Sequence, residues 1–553
     1  MAKRGADALI DTLSDAGVKH LFTLSGNHVM PVFDATIGSS IDLLHTRHEA
    51  ATVHMADAWA RLTGEVGIAL VTGGPGHANA VSALYTALMA ESPLVLISGH
   101  APLAQLGQGA FQEMRQADMA APVAKASWTC TGADSVATDL ALAIRIAAAG
   151  RPGPVHLSIP SDALEANVSP AGARGSHATT GTAAVLNPDQ SAELSPQLSA
   201  TAAAGLIARL RKASRPLILT GPASMTASAR RHCQALAEAS GVAVVGMQSP
   251  RGINDPALGA FAETLAQADC VLLLGKRLDF TLKFGKPPTF AADCEFLLVD
   301  SGPADSARAQ QLLNGRLTQR HDATAASATT ALTDAARRTN PQAGGWRDEV
   351  EQAIAYRPGA WDQAQAAQPG RMHPVQACRA LQPLLDSHPD SVLVCDGGEI
   401  GQWAQACLHA PNLIVNGAAG AIGVGLPFAL AARLARPDAP VVAVMGDGSV
   451  GFHIAEYDTA IRCNLPFVGV VGNDARWNAE YQIQLNDYGA ARTIGCELRP
   501  ARYDAVVAAF GGHGEMVDDA ATLPAAITRA QASSQPACLN VMIEGVAAPV
   551  VRR

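Results

Sequence analysis

Short apolar runs alternate with helix-like segments along the first part of the chain. Residues 9–13 place apolar side chains on one helix face, and residues 21–24 form an apolar run that predicts a strand. Residues 66–71 and 94–98 are further apolar runs, separated by a helix-like segment around residues 80–89. Strands that alternate with helices are typical of a parallel sheet covered by helices. The pattern therefore predicts an α/β fold.

The same alternation recurs in two later parts of the chain, where further apolar runs predict strands. Between these parts lie stretches with little periodicity that are rich in small and polar residues, which predict linkers. The later predicted strands lie at residues 217–221, 242–245, 271–274, 296–299, 392–396 and 441–445. We therefore expect three doubly wound parallel-sheet domains over residues 1–165, 196–335 and 372–553, joined by linkers over 166–195 and 336–371.

Composition limits the class of protein and its partners. The 553 residues are 48% hydrophobic and 16% charged, as in a globular rather than a disordered chain. The formal net charge of −9 argues against nucleic-acid binding, which needs a basic surface. The ten cysteines lack the paired spacing of a disulfide or zinc framework, and no apolar stretch reaches the ~18 residues of a membrane span. With a start that lacks the apolar core of a signal peptide, these features predict a cytoplasmic protein without nucleic-acid or membrane partners.

Gly446-Asp447-Gly448 follows the apolar run at residues 441–445 and opens a unit that ends at Asn473 after a second apolar run. A hard divalent cation takes oxygen ligands, which Asp447 and Asn473 would supply. The glycines allow backbone to approach phosphate groups closely, and the N-terminus of a following helix faces an anion. Most isolated Gly-Asp-Gly sequences are turns, but the strand before and the asparagine after this one predict a site for a divalent metal that carries a diphosphate.

This unit, together with Arg47-His48-Glu49 near the other end of the chain, resembles the thiamine diphosphate enzymes of the acetolactate synthase and pyruvate decarboxylase superfamily. The resemblance implies an enzyme whose three domains are pyrimidine-binding, middle and diphosphate-binding, in that order. In the superfamily a glutamate hydrogen-bonds the aminopyrimidine ring and promotes loss of the C2 proton, after which the cofactor acts as an electron sink. Glu49 matches that catalytic glutamate. Taken alone, it would equally be a solvated glutamate at a helix start.

The resemblance assigns the metal as Mg²⁺, with the side chains of Asp447 and Asn473 and the carbonyl of Ala475 as its ligands. The superfamily has Asn-Asn where this chain has Gly472-Asn473, which leaves Asp474 open as an alternative ligand. Ile422 would support the bent conformation of the cofactor, where the alternative is an ordinary core isoleucine. The diphosphate is expected beside Asp396, Gly397, Gly398, Glu399, Gly446, Asp447, Gly448 and Ser449, with a plain helix cap as the alternative role of Asp396.

The predicted catalytic glutamate and the metal site fall in the first and third domains. In the superfamily these two parts meet across a subunit interface. The resemblance therefore implies a homodimer at least, and homotetramers are common among the relatives. The expected partners are further copies of this chain and a small-molecule substrate.

Residues 109–113, Gly-Ala-Phe-Gln-Glu, resemble a loop shared by acetolactate synthases and 2-hydroxyacyl-CoA lyases. By that resemblance Phe111 and Gln112 point at the reacting carbonyl. His28 and His77 depart from the glycine and alanine usual in acetolactate synthases, and either would shuttle protons near neutral pH. A structural histidine is the alternative for each. After the metal turn, Trp477 and the residues that follow it also differ from the relatives, so the pocket lid is expected to differ.

Residues 274–285 resemble the middle-domain segment of 2-hydroxyacyl-CoA lyases and oxalyl-CoA decarboxylases, which receives the ADP part of coenzyme A. Arg277 and Lys283 would pair with phosphates, and Asp300 would accept a ribose hydroxyl. Two alternatives stay open: a solvated basic face, or FAD, which acetolactate synthases hold in the same region and which is less favoured here.

Together these resemblances predict a thiamine diphosphate-dependent enzyme that cleaves a 2-hydroxyacyl-CoA to formyl-CoA and an aldehyde or ketone, or joins them in reverse. The alternatives are a carboligase of the acetolactate synthase kind, a 2-oxo acid decarboxylase, or a hydrolase of a diketone. A non-catalytic paralogue is the alternative from another class, and the presence of Glu49, Asp447 and Asn473 argues against it.

Overall fold

The computed structural model describes residues 3–169, 195–338 and 344–553 of the chain. The chain divides into two compact units, Met1–Ser195 and Pro196–Arg553. Most of the predicted first linker, residues 170–194, lies outside the described residues, as does the start of the polar part of the second at 339–343. Within the described residues, no helix is both long and apolar enough to cross a membrane.

In the first unit, the described residues form a six-stranded, all-parallel sheet in the order β2-β1-β3-β4-β6-β5. Its central strands are buried along their whole length, which explains their continuous apolar runs. The strands are β1 His20–Thr23, β2 Asp42–His45, β3 Gly67–Val71, β4 Leu94–His100, β5 Ala126–Thr129 and β6 Pro154–Pro160. The helices are α1 Gly5–Asp15, α2 Met30–Ala35, α3 Glu49–Thr63, α4 Pro75–Met89, α5 Gln116–Ala120, α6 Val136–Ala148 and α7 Ser161–Glu165.

The first sheet of the second unit has five strands among the described residues, all parallel, in the order β11-β10-β9-β7-β8. One apolar cluster lies on each face of this sheet, because helices cover both sides. The strands are β7 Pro216–Thr220, β8 Ala243–Gly246, β9 Cys270–Leu274, β10 Glu295–Asp300 and β11 Leu317–Asp322. The helices are α8 Ala200–Lys212, α9 Ala227–Ser240, α10 Phe261–Leu265, α11 Pro303–Leu313, α12 Ala325–Arg337 and α13 Trp346–Ala355.

The second sheet of that unit has six parallel strands in its described part, in the order β13-β12-β14-β15-β17-β16. The strands are β12 Val392–Cys395, β13 Asn412–Val415, β14 Val441–Gly446, β15 Val468–Asn473, β16 His513–Val517 and β17 Ala537–Met542. The helices are α14 Pro374–Arg379, α15 Gln382–Asp386, α16 Gly398–Cys407, α17 Gly425–Ala435, α18 Asp447–His453, α19 Glu456–Arg462, α20 Asn478–Tyr488, α21 Tyr503–Phe510 and α22 Leu523–Ala532.

The three parallel sheets confirm the predicted α/β fold with three doubly wound parallel sheets. The proposed linker at 336–371 differs from the structure, because α13 lies inside it. Val350 of that helix is fully buried in the apolar cluster of the first sheet of its unit, so α13 belongs to the packed structure rather than to a connection. The apolar residues Trp346, Val350 and Ile354 recur at helical spacing, a signal that the prediction of a linker overlooked.

Candidate active site

Glu49 begins α3 directly after β2, at the carboxyl end of the first sheet, where open α/β sheets bind ligands. His48 caps the helix, and its Nδ1 accepts a hydrogen bond from the backbone N–H of Ala50. The Nδ2 group of Asn79, on α4, donates to Glu49 Oε2 at 3.0 Å. A Cβ at Gly76 would lie 3.3 Å from Glu49 Oε1, so this glycine leaves room for the carboxylate. These contacts fix the direction of the half-buried Glu49 side chain.

His28 and the loop that carries Gln112 lie together at the same end of the sheet. His28 is buried, and its Nδ1 lies 3.1 Å from Thr72 Oγ1. Its ring stacks on exposed Phe111 with 6.3 Å between centroids. Gln112 has a left-handed backbone (φ 58°) and contacts Gly74, where a Cβ would lie 2.7 Å from Gln112 Cβ. The structure therefore brings His28 and Gln112 together at this end of the first sheet.

Two polar side chains that the sequence analysis missed hold this loop. The carboxylate of Glu113 accepts backbone N–H groups of Gly107, Gly109 and Ala110, at 2.5, 3.0 and 3.0 Å. Buried Gln116 accepts from the N–H of Gly74 at 2.8 Å through Oε1 and donates to Gly99 O and Ser158 Oγ through Nε2. No sequence signal pointed to Gln116, because its partners lie on three separate strand ends.

His77 has a different environment from His28. Its ring is fully buried, and Nδ1 lies 2.8 Å from Ser98 Oγ, which also contacts His156 Nε2 at 3.2 Å. Burial lowers the pKa of His77 to about 4, and His100 adds to the shift, while the backbone of Gln116 opposes it. Nε2 nevertheless makes no hydrogen bond to any part of the chain that the structure describes. His77 is therefore neutral at pH 7, and its role as a proton shuttle stays a prediction.

Asp447 and Asn473 end adjacent strands at the carboxyl edge of the second sheet of their unit. Gly446 of β14 pairs with Gly472 of β15, so the two polar residues that follow lie side by side. Asp447 is buried, and its Oδ1 accepts the N–H of Gly448 at 3.0 Å. Its Oδ2 is buried without a hydrogen-bond partner among the described residues. A buried carboxylate oxygen without a donor fits a cation at this position.

The turn after Asn473 supplies further oxygen atoms. Asn473 is fully buried, and its Oδ1 accepts the N–H of Ala475 at 3.2 Å. Ala475 has a left-handed backbone (φ 60°), and its carbonyl accepts the N–H of Leu498 at 2.7 Å, which leaves one lone pair of that oxygen. Burial, together with the charge of Asp447, raises the pKa of Asp474 to about 7. This turn therefore presents several oxygen atoms of the kind that a hard cation binds.

Asp396 organises the loop that carries Ile422. Its fully buried carboxylate accepts N–H groups from Gly397, Gly423 and Gly425, at 2.6, 3.1 and 2.8 Å. Burial raises its pKa to about 6 in spite of these bonds. A Cβ at Gly397 would lie 2.4 Å from Ile422 Cγ2, so only glycine fits beside the half-buried isoleucine. The Asp396 carboxylate thus holds the glycine loop before α17 as well as the N–H of Gly397 at the start of α16.

The N-terminal turn of α16 also contacts the C-terminal segment around Ala548. Buried Glu399 pairs with Arg251 at 3.1 Å and accepts the N–H of Ala548 at 2.9 Å. Burial raises the pKa of Glu399, and Arg251 opposes that shift. Two other residues expected beside the diphosphate, Gly448 and Ser449, lie in the first turn of α18. A Cβ at Gly448 would lie 2.6 Å from the ring of Trp477.

The residues predicted to bind coenzyme A are not equally available. Arg277, at the end of β9, pairs with Asp305 at 3.1 Å. Asp300 is buried and accepts the N–H of Gly302 at 2.7 Å. Lys283 is exposed on the 3₁₀ turn Phe280–Gly285. The structure thus leaves Lys283 open to a ligand and gives Arg277 a carboxylate partner.

We expect the affinity of the predicted metal site at Asp447 for a divalent cation to fall at acidic pH. Burial raises the pKa of Asp447 to about 6, above its ordinary value of 3.8. The ionised form that binds metal is therefore lost as the pH falls through about 6, and the metal affinity should fall about tenfold per pH unit below that point. Titration of the protein with Mn²⁺ between about pH 5 and 8, followed by electron paramagnetic resonance, measures this. A constant affinity over that range would contradict it.

Comparison with known proteins agrees with this arrangement. Three family profiles match: thiamine pyrophosphate enzyme N-terminal TPP binding domain, central domain and C-terminal TPP binding domain, at residues 3–119, 203–314 and 396–541. The chain is 32% identical over 544 residues to acetolactate synthase large subunit IlvG of Mycobacterium tuberculosis, covering 96% of this chain and 94% of that protein. It is 30% identical over 590 residues to 2-hydroxyacyl-CoA lyase 2 of Danio rerio, covering 98% and 92%. The human 2-hydroxyacyl-CoA lyase 2 is 29% identical over 551 residues, covering 93% and 85%.

Proposed function

Because the chain belongs to the thiamine pyrophosphate enzymes, we propose that it cleaves a 2-hydroxyacyl-CoA to formyl-CoA and an aldehyde or ketone, or catalyses the reverse condensation. Relatives at about this level of identity include both 2-hydroxyacyl-CoA lyases and acetolactate synthases, so identity alone does not select the substrate. The choice of a thioester rests on the surface around Lys283.

That surface combines aromatic and basic groups. Phe280 and Phe284 are 44% and 42% exposed, and Lys283 and Lys286 are exposed beside them. Lys283 and Phe284 both have left-handed backbones, with φ of 48° and 57°. Two consecutive left-handed residues other than glycine are costly, and such backbones cluster at functional sites. Exposed rings suit an adenine base, and the two lysines suit its phosphates, so this surface is the observation that carries the proposal.

In the proposed site, Mg²⁺ would bind the side chains of Asp447 and Asn473 and the carbonyl of Ala475. The unpaired Oδ2 of Asp447 supports this assignment, because a cation would satisfy it. The diphosphate of the cofactor would lie at the N-termini of α16 and α18, and Ile422 would support the bent conformation of the cofactor. When bound, thiamine diphosphate supplies an electron sink at the carbon that is cleaved or joined.

The residues of the first unit have the proton-handling roles. Glu49, directed by Asn79, would hold a proton at its carboxylate beside the aminopyrimidine ring. The loop residue Gln112 would hydrogen-bond the substrate oxygen and buried His28 would move its proton, since both lie at the strand end. We further propose that the active protein is a homodimer or a homotetramer, which light scattering on the purified protein would check; a monomer with full activity would refute it.

The decisive experiment is thioester cleavage. Purified protein is incubated with thiamine diphosphate, Mg²⁺ and a short 2-hydroxyacyl-CoA, and formyl-CoA and the carbonyl product are separated by chromatography. Products that require the cofactor support the proposal. If protein that binds the cofactor forms no product from a series of such thioesters, the proposal is wrong.

Removal of one charge from the basic surface should affect coenzyme A thioesters alone. We expect Lys283→Gln to raise KM for the 2-hydroxyacyl-CoA about tenfold, as loss of a charge-assisted hydrogen bond of ~1.5 kcal/mol predicts, with kcat little changed. KM for the matching pantetheine thioester, which lacks the nucleotide, should not change. Lys212→Gln, an exposed lysine on α8, is the matched control. Equal KM effects on both thioesters would exclude nucleotide binding by Lys283.

A carboligase or decarboxylase of free 2-oxo acids is the second candidate. The ion pair between Arg277 and Asp305 favours it, because this arginine already has a carboxylate partner. The similarity to acetolactate synthase IlvG points the same way. Turnover of a 2-oxo acid, measured beside the thioester with the same preparation, decides between the two candidates.

A further inference from the structure

A chain of hydrogen-bonded polar side chains runs from exposed Arg502 to buried Asn473. Arg502 donates to the carboxylate of Asp504, with 2.6 Å between its terminal nitrogen and Oδ2. The Nδ2 group of Asn540 donates to Asp504 Oδ1 at 3.1 Å and to the carbonyl of Ala501 at 2.9 Å. The Nδ2 group of Asn473 donates to Asn540 Oδ1 at 3.0 Å and to the same carbonyl at 3.1 Å.

The chemistry of these groups fixes the direction of every bond. A carboxylate and a carbonyl only accept hydrogen bonds, so both must face the NH₂ group of Asn540. Burial raises the pKa of Asp504, but hydrogen bonds from Arg502 and Asn540 outweigh this and keep it below the ordinary value, so the acceptor is ionised. The oxygen of the Asn540 amide then faces Asn473. A reversed Asn540 would set its oxygen against two acceptors.

The orientation of the Asn473 amide is fixed in the same way. Its NH₂ group faces the Asn540 oxygen and the Ala501 carbonyl, which are both acceptors. Its Oδ1 is therefore turned to the other side, where it accepts the N–H of Ala475 in the turn beside Asp447. Asn473 and Asn540 are fully buried and Asp504 is 3% exposed, so water does not compete for these bonds.

We propose that Asn540 and Asp504 are positioning residues that hold the amide oxygen, rather than the amide nitrogen, of Asn473 toward the metal site. Asn540 lies on β17, and Asp504 lies in the first turn of α21. Neither would be a metal ligand. The inference rests on the metal site of the proposed function but not on the substrate, because it concerns cation affinity alone.

The test measures cation binding rather than turnover. Mn²⁺ is titrated into the protein with thiamine diphosphate present and followed by electron paramagnetic resonance, for the wild type and Asn540→Leu. We expect the leucine variant to bind Mn²⁺ about tenfold more weakly, within the range typical of outer-shell partners of a ligand. Asn540→Ser, which adds no bulk, should show the same loss and covers the case in which leucine prevents folding.

A matched control separates positioning from general damage. Asn412 is a buried asparagine of the same sheet that bonds backbone carbonyls of Asp390 and Ser391, at the start of β13. Asn412→Leu should lower the melting temperature and leave Mn²⁺ affinity unchanged. Wild-type Mn²⁺ affinity in a folded Asn540 variant, or an equal loss in the Asn412 variant, would overturn the inference. Since the readout needs no substrate, a failed thioester assay does not affect it.

Discussion

Glu49→Gln is expected to lower turnover about 10²–10⁴-fold, the range that general acid–base groups contribute. Glutamine has the shape of glutamate and still offers an oxygen to Asn79, whose Nδ2 donates to Glu49 Oε2. It cannot hold or release a proton at that oxygen. The loss should therefore appear in kcat, measured with saturating cofactor and either candidate substrate, while the affinity for thiamine diphosphate changes little.

Glu65→Gln is the control for this substitution, since Glu65 is exposed in the turn that follows the same helix. It should have wild-type kcat. Full activity of Glu49→Gln would refute the catalytic assignment and return Glu49 to the role of a solvated glutamate at a helix start.

Asp447→Asn should separate apoprotein stability from metal binding, with opposite signs. Burial raises the pKa of Asp447 to about 6 from 3.8, so above pH 6, where this carboxyl is ionised, the metal-free folded state bears the free-energy cost of a buried charge. The neutral amide removes that cost, which is on the order of 3 kcal/mol for a shift of this size. We expect the metal-free variant to be at least as stable as the metal-free wild type at pH 8.

The same variant should lose the stabilisation that the metal provides. Without the carboxylate, Mn²⁺ affinity should fall by more than the ~10–100-fold typical of outer-shell changes. Calorimetric melting of wild type and variant, with and without Mg²⁺ and thiamine diphosphate, measures both effects. Asp438→Asn, an exposed aspartate before the same strand β14, is the control and should respond to metal like the wild type. A wild-type increase in melting temperature for Asp447→Asn would remove this residue from the metal site.

Most of the buried central strands were predicted from the sequence, although the buried strands β6 and β17 were not. Of the edge strands among the described residues, β8 was predicted and the others were not. Strand β3 and the other central strands are covered on both faces, so their apolar runs are continuous. In contrast, Leu317–Asp322 alternates between half-buried and exposed residues at the edge of its sheet and was not predicted. His513–Val517 is likewise an edge strand with polar residues. The apolar pattern reports burial, and these two edge strands have few fully buried residues.

Some residues of the candidate site were also predictable from the sequence, and others were not. Asp447 and Asn473 were placed together because each ends a strand, and neighbouring parallel strands end at one edge. Contacts made by long-range folding left no local signal: the Asp396 carboxylate on a distant glycine loop, and Asn540 beside Asn473. Asn79 lies at the end of Gly-Pro-Gly-His-Ala-Asn, the segment that carries the predicted residue His77. Its contact with Glu49 was not predicted, because Glu49 lies on another helix.

The buried oxygen of Asp447, which lacks a hydrogen-bond partner among the described residues, has a consequence for the lifetime of the protein in a cell. Binding that occurs only in the folded state stabilises it by about 2.7 kcal/mol when the ligand is at a hundredfold excess over Kd. Differences of this size alter the unfolded fraction that proteases remove, and thereby change abundance several-fold. We expect the protein to be degraded faster in cells starved of thiamine, which a pulse-chase measurement against Asp447→Asn, expected not to respond, would show. Vitamin supply would then set the amount of this protein as well as its activity.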